Sequence, residues 1–288
     1  MKKITIRAPA KLNLNLHIFP KKKPTDYFSV KFINCQIDLF DEIILDRQEK
    51  KIEVFSDNNN IPLGKESLCF RAASLLKTQV GNDSLGVKIF IKKKIPIKSG
   101  LGGGSADGAQ TLKGLLWLWD LKLAQNDIQK IALNLGTDIC YCLIGGVCGV
   151  GGIGEKVRRL NMTMPKISVV VVTPEEKKPS TAWAYENLDF AQIGKHFSRV
   201  EKLVKAIKAK NVNEIAKNLH NDFEYSMTKF YPTVNLIKKE LLKSEALAAM
   251  LCGSGLSVFG IYKDKILAQK ALNKLKRKFK KVILSQTL

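Results

Sequence analysis

The sequence predicts an α+β fold in two domains, on three observations. Strand-like patterns, alternating or rich in β-branched residues, dominate the first part of the chain, helical patterns lie between and after them, and composition changes near residues 161–165. The 288 residues, 45% of them apolar, suffice for two domains with buried cores. We therefore predict an N-terminal domain over residues 1–160 and a C-terminal domain over residues 161–288.

The elements of the N-terminal domain follow from periodicity and from end signals. The predicted strands are residues 3–6, 31–39, 42–45, 52–55 and 87–91. A helix over residues 68–80 stops at Gly81, which suits a left-handed C-terminal cap. A second helix, residues 105–121, directly follows a glycine cluster, and a third, residues 126–134, is expected with Asn126 or Asp127 near its N-cap.

The C-terminal domain shows the same mixture of patterns. Residues 145–154, which still belong to the N-terminal domain, are rich in glycine and predict turns that flank a strand, whereas residues 167–173 form a β-branched run just after the boundary. Residues 251–261 predict a loop and a strand, and residues 265–280 an amphipathic helix. These elements predict a second α+β sandwich.

Composition narrows the classes of function. The net charge of +22 would suit a nucleic-acid binder, but lysine greatly outnumbers arginine, and the lysine runs contain few aromatic residues. A solvated lysine face is the preferred interpretation, and we expect no nucleic-acid partner. No apolar stretch reaches the roughly 20 residues of a membrane span, and the strand pattern begins near Ile4 without a preceding targeting segment. We expect a cytoplasmic protein with no membrane partner.

Cysteine and histidine spacing gives no sign of a metal site. The six cysteines lie among apolar neighbours without a CxxC pair, which predicts reduced core residues. His17, His196 and His220 are widely separated along the chain and are interpreted as structural or surface residues. We therefore expect no metal ion bound by protein side chains.

The glycine-rich segment of residues 96–109 (PIKSGLGGGSADGA) is the most informative part of the sequence. It leads into a helix that we expect to be capped by Ser105, and backbone N–H groups at a helix N-terminus bind phosphate. The segment is neither GxxxxGK[ST] nor GxGxxG, so Walker-type and Rossmann nucleotide sites are disfavoured. The alternative is a flexible surface turn. Asp107 is expected in the first helical turn, with a structural role.

Three more segments combine with this loop into a recognisable pattern. Residues 8–16 (APAKLNLNL), 135–146 (LGTDICYCLIGG) and 251–260 (LCGSGLSVFG) occur in that order around it. Together they resemble the motifs of the GHMP kinase superfamily, and the triple glycine followed by Ser-Ala-Asp is most similar to members that phosphorylate the diphosphocytidyl derivative of methylerythritol. The resemblance covers nearly the whole chain. It implies an N-terminal domain like ribosomal protein S5 domain 2 and a C-terminal α/β sandwich.

The resemblance implies a cytoplasmic kinase that transfers a phosphoryl group from ATP, accompanied by Mg²⁺, to the 2-hydroxyl of a diphosphocytidyl sugar alcohol. The reaction would belong to the non-mevalonate route to isoprenoid precursors. A monomer or a weak homodimer is expected. The residues expected to bind the ATP phosphates are Pro96, Ile97, Lys98, Ser99, Gly100, Leu101, Gly102, Gly103, Gly104, Ser105 and Ala106.

Lys11 and Asp138 are the candidate catalytic residues. Lys11 interrupts an apolar strand-like run, and Asp138 lies in an apolar, small-residue segment where burying a purposeless carboxylate would be costly. Composition alone would favour a snorkelling lysine and a helix-terminal aspartate. The resemblance instead implies that Lys11 contacts Asp138 and the acceptor hydroxyl, while Asp138 accepts the hydroxyl proton.

The resemblance also implies four substrate-binding residues. Asn13 would contact the methylerythritol portion, Tyr27 would lie against cytosine, and Thr181 would lie near the substrate. Phe28 stands where the family has a histidine that hydrogen-bonds the base, and a phenyl ring can stack on the base but not replace that bond. The alternatives are a strand amide for Asn13, a turn aromatic for Tyr27 and a helix N-cap for Thr181.

Three other functions stay open at this point. The chain could phosphorylate another alcohol, of the homoserine or mevalonate type, and Phe28 keeps that alternative open. It could be a catalytically silent binding protein of the same fold, although both Lys11 and Asp138 are present. A nucleic-acid binder would show a steep dependence of affinity on salt.

Overall fold

The computed structural model describes residues 2–20 and 27–288. The chain forms two compact units, and each is assembled from separate stretches of sequence. Unit 1 comprises Met1–Ala10, Leu39–Ile97 and Gly102–Gly145, and unit 2 comprises Lys11–Asp38, Lys98–Leu101 and Gly146–Leu288. The predicted boundary between residues 160 and 161 stays a prediction.

Two long strands, β1 (Lys3–Phe19) and β2 (Ser29–Glu49), contribute to both units. In unit 1, β2 pairs antiparallel with β4 (Leu85–Lys92), which pairs parallel with β3 (Ile52–Ser56). The two strands predicted over residues 31–39 and 42–45 are one. The strand continues because the buried carboxylate of Asp41 accepts hydrogen bonds from the backbone of the segment after β4.

Four helices complete unit 1. They are α1 (Leu68–Val80), α2 (Gly103–Leu118), α3 (Gln125–Leu135) and α4 (Thr137–Ile144). α1 packs on α2, and α2 packs on α4. Gly81 closes α1 in the left-handed conformation, with φ 63°, as predicted. Ala124 occupies the N-cap of α3, and Asn126 and Asp127 lie near it in the first turn, as predicted.

Helix α4 was not predicted, because it is too short to show clear periodicity. Gly136 and Gly145 occupy its two cap positions, with φ 152° and 67°, and so delimit it. Its helical form places Cys140 and Cys142 on different faces, and only Cys142 is buried. Asp138 therefore lies in the first turn of a helix rather than in an extended segment.

The strands of unit 2 form two groups. β1 pairs parallel with the short β8 (His220–Asn221), while β2 pairs with β5 (Cys148–Gly151) and β5 with β6 (Lys156–Arg159). The second group is an antiparallel four-stranded sheet in the order β11-β7-β10-β9. Its strands are β7 (Ser168–Thr173), β9 (Ala248–Leu251), β10 (Val258–Tyr262) and β11 (Lys281–Gln286).

Helices of unit 2 cover the four-stranded sheet and extend beyond it. They are α5 (Thr181–Glu186), α6 (Arg199–Lys208), α7 (Val212–Lys217), α8 (Phe223–Phe230), α9 (Pro232–Lys243) and α10 (Lys265–Lys276). α9 packs on β9 and β10, and α10 packs on β7 and β11. The predicted strand of residues 167–173 forms the centre of this core, since Val169, Val170, Val171 and Val172 are fully buried.

The described residues include no helix that is both long and apolar enough to cross a bilayer. In the described chain no two of the six cysteines form a disulfide, and all are buried except Cys140, which is half-buried. Five of the six cysteines are thus core residues, as predicted, and Cys140 is not.

Candidate active site

The second half of the glycine-rich loop belongs to unit 1 and forms the start of α2. Gly102 is the N-cap, with φ 72° and no side-chain capping hydrogen bond, so the helix begins at Gly103. The predicted cap at Ser105 is wrong, because Gly103 and Gly104 already have helical backbone. Gly104 is exposed, and Gly103 and Ser105 are half-buried. The first N–H groups of α2 therefore lack a side-chain cap and are suited to bind an anion.

The first half of the loop belongs to unit 2, where it packs against a second glycine loop. Gly100 has φ 86°, and a Cβ there would lie 1.7 Å from the carbonyl oxygen of Cys252. A Cβ on Gly255 would lie 2.3 Å from the carbonyl oxygen of Ser99. The two backbones thus approach so closely that only glycine fits at both positions.

Lys11 is buried in β1 and has a defined partner. Its Nζ donates to Asn13 Oδ1 at 2.8 Å, and Asn13 Nδ2 donates to Asn34 Oδ1 at 2.7 Å. Lys11 is 5% exposed and Asn13 is 1% exposed. The two side chains share one face of the strand because they are two residues apart. The backbone N–H of Lys11 also donates to the carbonyl oxygen of Leu101, at 2.9 Å, so β1 and the first half of the glycine loop are joined.

The second glycine loop, residues 251–255, is held from β8. Asn221 Nδ2 donates to the carbonyl oxygens of Leu251 and Gly253, at 3.0 and 2.8 Å. A Cβ on Gly253 would lie 3.0 Å from Asn13 Oδ1 and 3.5 Å from Lys11 Nζ. The Lys11–Asn13 pair therefore lies directly against this loop, and a side chain at Gly253 would crowd it.

Asp138 lies in unit 1, in the first turn of α4, and is half-buried. Its position is favourable for a carboxylate, because the helix N-terminus carries partial positive charge. Gly136 provides no side-chain cap there. Lys11 and Asp138 belong to different units. Their predicted contact stays a prediction.

Close to the start of α2, unit 1 contains a buried ion cluster of Lys93, Asp41 and Asp107. Lys93 Nζ lies 2.5 Å from Asp41 Oδ2 and 2.7 Å from Asp107 Oδ2, and all three side chains are at most 5% exposed. Burial lowers the pKa of Lys93, but the two carboxylates outweigh burial and raise it overall. Burial raises the pKa of Asp107 more than Lys93 lowers it.

This cluster corrects the expectation for Asp107. The residue lies beyond the first turn of α2, because the helix begins at Gly103. Its role is structural, as predicted, but the interaction is the ion pair with Lys93 rather than the helix dipole. A Cβ on Gly103 would lie 3.3 Å from Lys93 Nζ, so the cluster lies directly beside the start of α2.

Aromatic rings form a stack in unit 2 around Phe28. The ring centroid of Phe28 lies 5.4 Å from that of Tyr185, at 17°, and 5.8 Å from that of Phe190, at 24°. Tyr185 meets Phe223 edge to face, at 4.9 Å. Phe28 is half-buried, whereas Tyr27 is 66% exposed. The rings offer a flat apolar surface of the kind on which a planar base stacks.

Thr181, the remaining residue predicted to bind substrate, is the first residue of α5. The segment before this helix contains Lys178, which was not predicted from the sequence. Thr181 is exposed and begins the helix, and the cap is Ser180, whose hydroxyl accepts from the backbone of Trp183. The alternative role of Thr181 as a cap is therefore wrong. Lys178 is 8% exposed, and its Nζ donates to the Ser180 carbonyl oxygen. Burial, and then the charge of Lys98, lower the pKa of Lys178 to about 8.

Two protein-family models match this chain and identify its family. Residues 67–146 match the N-terminal domain of GHMP kinases, and residues 203–281 match their C-terminal domain. The chain belongs to the GHMP kinase family. Use of ATP as phosphoryl donor follows from this membership. The predicted two-domain GHMP kinase fold, with its mixture of helices and strands, is confirmed.

Relatives that match over nearly their whole length show which members of the family this chain resembles. A 4-diphosphocytidyl-2-C-methyl-D-erythritol kinase of Caldicellulosiruptor bescii is 38% identical over 98% of this chain and 97% of the relative. The protein of the same description from Acetivibrio thermocellus is 35% identical over the whole length of both chains. The family predicted from the sequence motifs is therefore confirmed.

Solved structures agree on the fold. A crystal structure of a 4-(cytidine 5′-diphospho)-2C-methyl-D-erythritol kinase matches with a TM-score of 0.83, at 24% identity, over 99% of both chains. A homoserine kinase from Cytophaga hutchinsonii matches with a TM-score of 0.78, at 20% identity, over 100% of this chain and 95% of that one.

The structure brings together some of the predicted site residues. In unit 2 it joins Lys11 with Asn13 and places both beside the second glycine loop. It also reveals Asn34 and Tyr185, which sequence reasoning missed. Tyr185 lies in α5, like Thr181, so its position was a usable signal, but Asn34 lies in β2 with no motif around it.

Replacing Gly100 by alanine is expected to lower the free energy of unfolding by at least about 2 kcal/mol, because the new Cβ would collide with the Cys252 carbonyl at a positive φ. Gly64 is the matched control, since a Cβ there meets nothing within 4 Å, and Gly64→Ala should change stability by less than about 0.5 kcal/mol. Urea unfolding of both variants measures this. Equal stability of the two would contradict the close backbone packing.

Replacing Lys93 by methionine is expected to cost about 3–5 kcal/mol of stability, because two buried carboxylates lose their counter-charge. Lys92 is the control: it pairs with Glu42 at 3.5 Å and is 48% exposed, so Lys92→Met should cost less than about 1 kcal/mol. The measurement is the midpoint and slope of denaturant unfolding. A Lys93→Met variant as stable as Lys92→Met would show that the cluster does not support unit 1.

Proposed function

We propose that this protein is an ATP-dependent kinase that phosphorylates the 2-hydroxyl of 4-diphosphocytidyl-2-C-methyl-D-erythritol, in the formation of isoprenoid precursors. The observation that carries the proposal is the buried Lys11–Asn13 pair against the second glycine loop. A cation is costly to bury without a purpose, and this one lies in a chain whose full-length relatives are described as that kinase.

The phosphates of ATP would bind along residues 96–106. The start of α2 supplies uncapped N–H groups and the positive end of a helix of 16 residues. Gly102, Gly103 and Gly104 allow the phosphates to approach the backbone closely. Mg²⁺ would accompany the nucleotide, bound mainly to phosphate oxygens and water, and would offset phosphate charge during transfer.

Lys11 and Asp138 would have different roles at the acceptor alcohol. Lys11 would donate to the reacting oxygen and stabilise the charge that develops as the phosphoryl group is transferred, while Asn13 holds the Lys11 ammonium in place. Asp138 would accept the proton of the hydroxyl. Asp138 lies half-buried in the first turn of α4, where the helix N-terminus favours negative charge.

The cytidine part of the acceptor would be recognised by the aromatic stack of Phe28, Tyr185 and Phe190. Tyr27 would cover the base from the exposed side, and Thr181 would contact the substrate at the start of α5. Phe28 already shares a parallel stack with Tyr185, so the phenyl ring serves as a platform for the base. Stacking thus compensates in part for the hydrogen bond that a histidine would supply.

Replacing Asp138 by asparagine is expected to lower kcat by about 100- to 10,000-fold, because the amide cannot accept the hydroxyl proton. Asp127 is the matched control: it lies in the first turn of the neighbouring α3, with an exposed ion pair to Lys130. Asp127→Asn should keep wild-type turnover. Steady-state ADP release with the diphosphocytidyl alcohol measures both variants, and circular dichroism checks folding. Wild-type turnover in Asp138→Asn would remove the base assignment.

Replacing Phe28 by alanine is expected to raise KM for the diphosphocytidyl acceptor about tenfold and to leave KM for ATP unchanged, because about 1–3 kcal/mol of base stacking is lost. Phe55 is the control, since it is 39% exposed and lies in β3 of unit 1. Phe55→Ala should alter neither KM. An equal rise of both KM values in Phe28→Ala would indicate general disruption rather than loss of base stacking.

Another acceptor alcohol is the competing function, because a homoserine kinase shares the fold. The aromatic stack favours a substrate with a planar base over either homoserine or mevalonate. Turnover with a panel of the three alcohols decides between them. The expected monomer or weak homodimer, and the expected cytoplasmic location, stay predictions.

A further inference from the structure

All three histidines of the chain meet in unit 2, although they are far apart in sequence. The rings of His17 and His220 are stacked, with centroids 4.6 Å apart at 20°, and His196 meets His220 edge to face at 5.2 Å. His17 lies in β1 and His220 in β8, and the parallel pairing of these strands brings the rings together. None of the three histidines is among the residues proposed to carry out phosphoryl transfer.

His17 is an unusual residue for a protein core. Its side chain is 0% exposed, and neither of its ring nitrogens has a hydrogen-bond partner among the described residues. A buried polar group left without a partner costs about 1–3 kcal/mol. An apolar side chain would fill the same space without that cost. Two ring nitrogens without a partner at this position therefore point to a ligand that binds the imidazole.

A carboxylate completes the set of donors. Asp222 Oδ1 lies 2.6 Å from His220 Nε2, and Asp222 Oδ2 accepts from the backbone N–H groups of Ile18 and Gly194 at 2.7 and 3.0 Å. The two backbone bonds fix the carboxylate and leave Oδ1 directed at His220. Donor atoms of His17, His220 and Asp222 all lie within 4.8 Å of one another.

We propose that His17, His220 and Asp222 form a binding site for a divalent transition-metal cation of the Zn²⁺ type. Two imidazoles and one carboxylate are a donor set that suits Zn²⁺, with water in the fourth position. Ligands at about 2.0–2.1 Å from one ion in tetrahedral geometry are about 3.3–3.4 Å apart. The donor atoms, which lie within 4.8 Å of one another, would therefore close in by up to about 1.5 Å, and the stacked rings of His17 and His220 would turn so that their nitrogens converge on the ion.

The donor set also separates this site from the Mg²⁺ that accompanies ATP. Mg²⁺ prefers oxygen ligands in octahedral geometry, and imidazole nitrogen suits Zn²⁺, Co²⁺ and Ni²⁺. Arg199 is a nearby cation, but its guanidinium donates to the carbonyl oxygen of Leu219, at 3.1 Å. Asp222 supplies the negative charge that partly offsets a divalent ion.

A cation bound here would stabilise the kinase rather than take part in its chemistry. It would cross-link β1 to β8, which are paired over only two residues, Asn15 with His220 and Leu16 with Asn221. Asn221 is the residue between the proposed ligands His220 and Asp222. Its side chain donates hydrogen bonds to the carbonyl oxygens of Leu251 and Gly253, and so holds the second glycine loop. Binding should therefore raise the melting temperature.

The test uses the full chain, stripped of metal by a chelator, with Zn²⁺, Co²⁺ and Mg²⁺ as separate probes. Calorimetric titration should show one Zn²⁺ per chain, and Tm should rise with Zn²⁺ and Co²⁺ but not with Mg²⁺ alone. Visible absorption of bound Co²⁺ should report nitrogen and oxygen ligands without thiolate. Absence of saturable Zn²⁺ binding, or a Co²⁺ spectrum of thiolate ligation, would overturn the proposal.

Two variants separate a metal ligand from a packing residue. His17→Leu should fold at least as stably as the wild type without metal, because it removes two unsatisfied nitrogens, and its affinity for Zn²⁺ should fall at least 100-fold. His196→Ala is the matched control: it removes an imidazole beside the cluster but outside the donor set, so one Zn²⁺ per chain should still bind. Undiminished binding in His17→Leu, or lost binding in His196→Ala, would disprove the proposed donor set.

Discussion

The close approach of two backbones in unit 2 is the constraint on which the rest of the candidate site depends. The carbonyl of Cys252 occupies the space where a side chain of residue 100 would lie, and the carbonyl of Ser99 does the same for residue 255. Glycine at both positions permits this contact. Because the carbonyl oxygen of Leu101 in turn accepts a hydrogen bond from the backbone N–H of Lys11, the contact also fixes where the strand that bears Lys11 lies.

Around that contact the protein uses polar side chains to hold backbone and to hold one another. Asn221 spans two carbonyls of the second loop, and Asn13 connects Lys11 to Asn34. Buried asparagine side chains suit this role because each amide offers hydrogen-bond donors and an acceptor without adding charge. The result is a buried cation whose position is set by the hydrogen bonds of Asn13 and Asn34.

Sequence patterns predicted the features that depend on local backbone conformation. The glycine loop before α2, the left-handed Gly81 and the strand of residues 167–173 are all present, because each depends on a residue's own φ or on a short alternation. Boundaries were less accurate. The cap at Ser105 failed since glycine can itself enter the first turn, and α4 was missed because eight residues show too little periodicity.

Features that depend on contacts between distant segments could not be predicted in this way. The stack of Phe28 on Tyr185 joins a residue just before β2 to a helix in the second half of the chain, and His17 meets His220 only through a parallel strand pair of two residues. No spacing rule relates such positions. Motifs therefore identify a phosphoryl-transfer enzyme, whereas its choice of acceptor depends on tertiary contacts, and residues that differ from the family pattern, such as Phe28, must be judged by their neighbours in space.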